Sequence, residues 1–215
     1  MSVVTPSIKS RSTLAERLDL IVSPLFALGL AIVGVAVWFY SDLDSTTLSI
    51  LDPEKLQRQF IETIALGLAS SAVVIVVAIP IGVLVTRRGF PRLKTFLVNT
   101  LGLGQSLPVY GLIVIYFSWL GAGAITVLFA LATYSLLPIL RNTIVGLEQV
   151  DKNVIDAARG MGLTPRQILT KIELPLSVVV ILAGIRTAVV INVGFAALAF
   201  LVGGGGLGET INSGL

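Results

Sequence analysis

Five charged side chains, Asp156, Arg159, Arg166, Lys171 and Glu173, stand within the twenty residues DAARGMGLTPRQILTKIELP, between flanks almost free of charge. A sixth, Arg186, lies alone in the apolar run that follows. These are the side chains whose type and spacing could do chemistry, and the chemistry open to them is narrow. The 215 residues include no His and no Cys. That removes the commonest metal ligands and general bases, Ser–His and Cys–His nucleophile pairs, and disulfides. Catalysis by paired carboxylates would need acids inside the apolar segments, yet none occurs between Ile64 and Glu148. No catalytic residue and no metal ligand is expected, and no cofactor on this chain.

The elements that must position these charges are set by the solvent. The chain is 55% hydrophobic and 13% charged, with a mean hydropathy of +0.96. Soluble domains carry roughly 25% charged residues, and most of a folded surface must face water. The expected class is an all-α, polytopic membrane bundle, embedded in a lipid bilayer.

A crossing helix needs about 20 mostly apolar residues. Five candidates meet this: Ile21–Tyr40, Ile64–Val85, one within Phe96–Leu120, Ile125–Leu140 extending toward Leu147, and about Leu176–Val202. The first follows a polar, basic tail, residues 1–20. It is read as a retained helix, because no small-x-small cleavage site follows it and it is too long for a signal-peptide core. The remainder, 21–215, is expected to form one transmembrane domain containing an elbow at 151–175.

Lys and Arg sort unevenly among the connections. The tail, the 87–94 turn and the 141–171 stretch carry twelve; the 41–60 loop carries Lys55 and Arg58, and the segment after Gly203 carries none. Cytoplasmic loops hold such an excess. The N-terminus and the elbow are therefore expected in the cytoplasm of a multi-pass cell-membrane protein. The basic residues are scattered along membrane edges rather than gathered on one face with aromatics, so nucleic acid is not an expected partner.

Within the elbow the punctuation is definite. Asp151 can cap a helix through Ala157 and Ala158, and Gly162 suits a left-handed terminus. Thr164, Pro165 and Gln167 then form the start signal of a second helix, a capping box with Pro at its first position. That helix is expected to end before Pro175. The result is a helix–turn–helix presenting the small pair Ala157–Ala158 as an exposed knob.

The order Asp156-Ala157-Ala158, three residues, Gly162, nine residues, Ile172-Glu173-Leu174-Pro175 resembles the cytoplasmic signature of ABC importer permeases, with Asp156 where Glu is usual. The resemblance implies that Asp156, Ala157, Ala158, Gly162, Ile172, Leu174 and Pro175 couple the chain to a separate ATPase subunit, which would hold the ATP. It also implies a second permease subunit, identical or paralogous, and an extracytoplasmic solute-binding protein. The stretches 136–151, 173–188 and GGGGLGE at 203–209 look most like permeases for osmoprotectants: glycine betaine, choline, carnitine and related quaternary amines. Methionine permeases share the signature and match these stretches less well. Permeases of the osmoprotectant type usually continue past the Gly-rich segment into a last membrane helix.

Several residues inside the apolar spans are candidates for the solute pathway. GLGQSLPVYG at 102–111 should break its helix, and irregular backbone at membrane depth belongs beside protein or water. It offers Gln105, Ser106, Pro108 and Tyr110. Arg186 and Asn192 lie in the last span. The alternatives are a packing kink for 102–111 and a structural tie, or a snorkelling side chain, for Arg186. Tyr110, Tyr116, Trp119 and Tyr134 could present π-faces to a methylated cation, although such aromatics also serve as core or interface residues. The Gly-rich run lacks the Lys of a phosphate loop and is read as a flexible turn. From a different class, a non-transporting membrane scaffold is the rival; it would assemble without an ATPase or a solute receptor.

Overall fold

A computed structural model describes residues 22, 24–26, 28–36, 50, 52–87 and 91–214. The chain divides into two units, Met1–Ser49 and Ile50–Leu215. In the first, Val22, 24–26 and 28–36 are helical with their side chains exposed or, at Ala36, half-buried. The remainder of the expected first span, and the basic tail, lie outside the described residues.

The second unit holds helices and no strand among the described residues. They are α1 (Pro53–Arg87), α2 (Pro91–Gln105), α3 (Val109–Leu120), α4 (Ala124–Glu148), α5 (Lys152–Gly160), α6 (Pro165–Val202) and α7 (Gly208–Ser213). Three of them, α1, α4 and α6, are long and apolar enough to cross a bilayer. The pair α2 and α3 adds a fourth apolar path, but with a bend of 99° between them. The 96–120 stretch is thus not one straight span. Its helix stops at Gln105 and a new one starts after Pro108, where Pro lacks the N–H that would continue the ladder.

The core forms where α1, α4 and α6 pack together. Lipid tails give apolar side chains no reason to leave them, so membrane helices associate through close packing and small residues. The glycines sit accordingly. A side chain on Gly67 of α1 would collide with the Val193 backbone of α6 at 2.8 Å, and one on Gly82 with Thr143 of α4 at 2.7 Å. One on Gly184 of α6 would meet Asn142 and the Pro138 carbonyl of α4 at 2.7 and 2.8 Å. Around these contacts lie two apolar clusters. One joins Leu66, Ile113, Leu131 and Ala196, with α3 against it; the other joins Val74, Ala78, Ile139 and Ala188, with Leu97, Val98 and Leu101 of α2 packed on it.

Three expectations need correction. The second span begins at Pro53, eleven residues before Ile64, and so takes in part of the expected 41–60 loop. Its polar first turns stay helical because Gln59 and Thr63 are buried against the Gly-rich segment. The second elbow helix does not end before Pro175; α6 runs without interruption from Pro165 to Val202. Proline's ring collides with the carbonyl four residues back in a regular helix. Here Leu169–Glu173 form a wide π-turn in which the Leu174 N–H reaches back to the Leu169 carbonyl, and the proline follows that widened turn. Finally, 203–208 is a fixed loop, not a flexible turn. Gly203, Gly205 and Gly206 hold φ of 68°, 77° and 89°, the left-handed region where glycine has no steric cost. The Gly206 N–H donates to Glu62 Oε2 at 3.1 Å and the Leu207 N–H to Thr63 Oγ1 at 2.9 Å.

Candidate functional site

Local chemistry builds the elbow. Asp151 caps α5 by accepting from the Asn153 N–H at 2.9 Å. The helix closes with the Leu163 N–H on the Ala158 carbonyl and the Gly162 N–H on the Arg159 carbonyl, at 3.1 and 2.9 Å. This is the Schellman arrangement, which needs a left-handed residue at its turn; Gly162 supplies it with φ of 82°. Thr164 then caps α6 reciprocally: its side chain accepts from the Gln167 N–H while Gln167 Oε1 accepts from the Thr164 N–H. Every one of these devices is the one the sequence announces.

The signature residues divide by exposure. Asp156 and Ala157 face outward, as does Gly162, whereas Ala158 is wholly buried and Ile172 and Leu174 are half-buried. The knob is therefore a single alanine, with Ala158 serving as its footing. Asp156 pairs with Arg159 one turn on, at 2.9 Å, both side chains about two-thirds exposed. A pair so exposed contributes little to stability. Pro175 is exposed at the first turn after the π-segment.

Three contacts tie the helices together at the elbow end of the bundle, and the first of them holds the elbow itself. Arg87, the last residue of α1, forms an ion pair with Glu173 of the π-turn. Lys94 of α2 holds Glu148 at the end of α4, with Nζ 2.5 and 2.6 Å from its two carboxylate oxygens. Ser177 Oγ lies 2.8 Å from the Gly146 carbonyl of α4 and 2.6 Å from the Glu173 carbonyl. None of these was foreseen. A lone acid and a lone base at two membrane edges, Glu173 and Arg87, were the available signal.

The pathway candidates do not share one place. Gln105 ends α2 with its side-chain amide donating to the Tyr134 carbonyl at 3.0 Å, half-buried. Ser106 and Pro108 lie exposed at the bend, the former bonded to the Gly102 carbonyl at 3.3 Å. Tyr110 is exposed beside a groove lined by Ile113, Phe117, Leu198 and Leu201. Among the other aromatics, Tyr116 bonds Thr133 at 2.7 Å and Tyr134 meets the Phe195 ring edge-on at 5.7 Å, while Trp119 is exposed. Asn192 is fully buried between α1 and α4. With its amide nitrogen turned toward α4 it donates to the Leu131 carbonyl at 3.1 Å, and its oxygen faces Ser71 of α1 at 3.0 Å. Arg186 stands on the opposite, exposed side of α6.

At the far end of the bundle the Gly-rich loop closes on α1. Gln59 meets both residues of α7 that face it, Glu209 at 3.3 Å and Thr210 at 2.5 Å. The Gly123 N–H donates to the Val202 carbonyl at 2.8 Å. This end is tied down, and its charges, Asp52, Glu54, Lys55, Arg58, Glu62 and Glu209, are mostly acidic.

The chain is similar to several known proteins. Residues 78–215 match the family described as binding-protein-dependent transport system inner membrane component. Over 152 residues the chain is 41% identical to carnitine transport permease protein OpuCB of Listeria monocytogenes, covering 70% of this chain and 69% of that one. It is 38% identical to choline transport system permease protein OpuBB of Bacillus subtilis, covering 72% and 70%. Among solved structures, an inward-facing MetNI methionine ABC transporter superposes with a TM-score of 0.62 at 26% identity, covering 78% of this chain and 81% of that one.

Proposed function

This chain belongs to the family of binding-protein-dependent transport system inner membrane components, and we propose that it is the permease subunit of an ATP-driven importer of osmoprotectants. The observation that carries the substrate class is the identity of 41% and 38% with permeases named for carnitine and choline transport. The likeness to a methionine transporter, at 26%, supports the shared architecture and favours methionine less.

The permease hydrolyses nothing itself. Its elbow docks on a separate ATPase subunit, which binds the ATP, and Ala157 with the Gly162 turn forms the contact. The capped, rigid turn supports this reading: a surface that must fit a partner's groove gains from being preorganised. Because α6 passes unbroken from the elbow into the bundle, a displacement of the docked elbow moves the membrane helix with it. The Arg87–Glu173 pair and the Ser177 hydroxyl carry the same displacement to α1 and α4. A second permease subunit completes the pathway, and an extracytoplasmic binding protein delivers solute to the end closed by the Gly-rich loop. The excess of Lys and Arg at the elbow end supports a cytoplasmic elbow and N-terminus.

The test is uptake of labelled glycine betaine, choline, carnitine and methionine into vesicles holding the whole complex. Accumulation of the quaternary amines, dependent on ATP and on the binding protein, is the expected result. Accumulation of methionine alone would reassign the substrate.

A further inference from the structure

Helix α6 has two faces. One, with Ser177, Ile181, Gly184, Ala188 and Asn192, is buried in the bundle. On the other, Val179, Leu182, Ala183, Arg186, Thr187 and Val190 form one face open to the outside of the bundle. Arg186 is thirteen residues beyond the Glu173 ion pair, about 20 Å along the helix at 1.5 Å per residue, and sixteen before Val202. It therefore stands near the middle of the span. Among the described residues it makes no ion pair and no side-chain hydrogen bond. A cation at that depth must face protein or water rather than lipid, and among the described residues α1 to α4 supply no counter-charge, since they hold no acid between Ile64 and Glu148.

We propose that this face of α6 is a wall of the solute path and that the Arg186 guanidinium receives the carboxylate of a zwitterionic quaternary amine. The inference rests on the osmoprotectant reading and adds a selectivity to it. Betaine and carnitine carry a carboxylate as well as a methylated ammonium group. Choline carries the ammonium group and a hydroxyl. A fixed guanidinium forms charge-assisted bonds with the first two and repels the net charge of the third. The residues flanking Arg186 on this face are mostly aliphatic, which suits the methyl groups.

The experiment uses the complete complex with its binding protein in vesicles, comparing wild type, Arg186→Gln and Arg186→Lys for uptake of labelled glycine betaine, carnitine and choline. Arg186→Gln should cut betaine and carnitine uptake about tenfold or more, the scale of a lost hydrogen bond to a charged group. Choline uptake should hold or rise. Arg186→Lys should restore much of the zwitterion uptake, because charge rather than shape is the larger part. Equal loss for all three solutes, or co-purification of the complex failing in Arg186→Gln, would instead make Arg186 a tie to a neighbouring subunit and overturn the proposal. No loss for any solute would overturn it too. Wild-type complex that imports none of the three would sink the osmoprotectant reading, and this inference with it.

Discussion

Arg87 and Glu173 are 86 positions apart in the chain and meet as an ion pair where α1 ends and the π-turn of α6 closes. Their side chains are 28% and 11% exposed, so the pair is neither a solvated surface bridge nor fully buried. Removing one partner from a buried pair costs about 3–5 kcal/mol; partial exposure lowers this to roughly 1–3 kcal/mol. Glu173→Gln should therefore lower the thermal midpoint of the purified protein, and the ATPase of the assembled complex should respond less to solute. The exchanged double variant Arg87→Glu, Glu173→Arg should recover part of both. A Glu173→Gln complex with unchanged midpoint and unchanged stimulation would remove the pair from the coupling route.

Ala157 and Ala158 are neighbours with different surroundings, one exposed and one fully buried. Ala157→Glu should leave the permease inserted and folded yet abolish co-purification of the ATPase subunit. Ala158→Glu forces a charge into a site with no partner and should destabilise the permease itself. Thermal unfolding and ATPase pull-down, measured on both, separate the two. Should Ala157→Glu retain full ATPase association and transport, the docking surface lies elsewhere.

Asn192 joins three helices through Ser71 and the Leu131 carbonyl. Interhelical hydrogen bonds within membranes contribute about 0.6 kcal/mol on average and up to about 1.7. Asn192→Ala should lower stability by that order, about 1–2 kcal/mol once the small cavity is included, while the ranking of solutes stays the same. A changed ranking would place Asn192 on the path instead of in the packing.

Much of the elbow could be read directly because its determinants are local. Asp151, Gly162, Thr164, Pro165 and Gln167 each act on backbone within three residues. The errors fall where distant segments decide. Pro175 signals a helix end by its own chemistry, and a π-turn upstream overrides it. The four consecutive glycines signal freedom, and Glu62 and Thr63, 144 positions away, remove it. Asn192 and Arg186 look alike as polar residues in one apolar span, and only the packing of α6 turns the first inward and the second outward. Hydropathy located the membrane stretches of α1, α4 and α6 but missed that α1 extends over polar turns, because the covering loop lies at the other end of the chain.

The charge distribution predicts an orientation that can be measured independently. A reporter fused after Lys94 should be cytoplasmic and one after Asp52 extracytoplasmic, in keeping with twelve basic residues against two across the sequence. The reverse labelling would put the elbow out of reach of ATP.

The proposed permease couples import of quaternary amines to ATP hydrolysis by its partner. The most direct measurement is ATPase activity of the assembled complex in vesicles, with binding protein added alone, loaded with glycine betaine, choline or carnitine, or replaced by a methionine-binding protein loaded with methionine. Stimulation by the loaded quaternary-amine binding protein, lost in Ala157→Glu, is the predicted result. Stimulation by methionine and its receptor, with none by any quaternary amine, would contradict the substrate assignment, and full stimulation in Ala157→Glu would contradict the coupling.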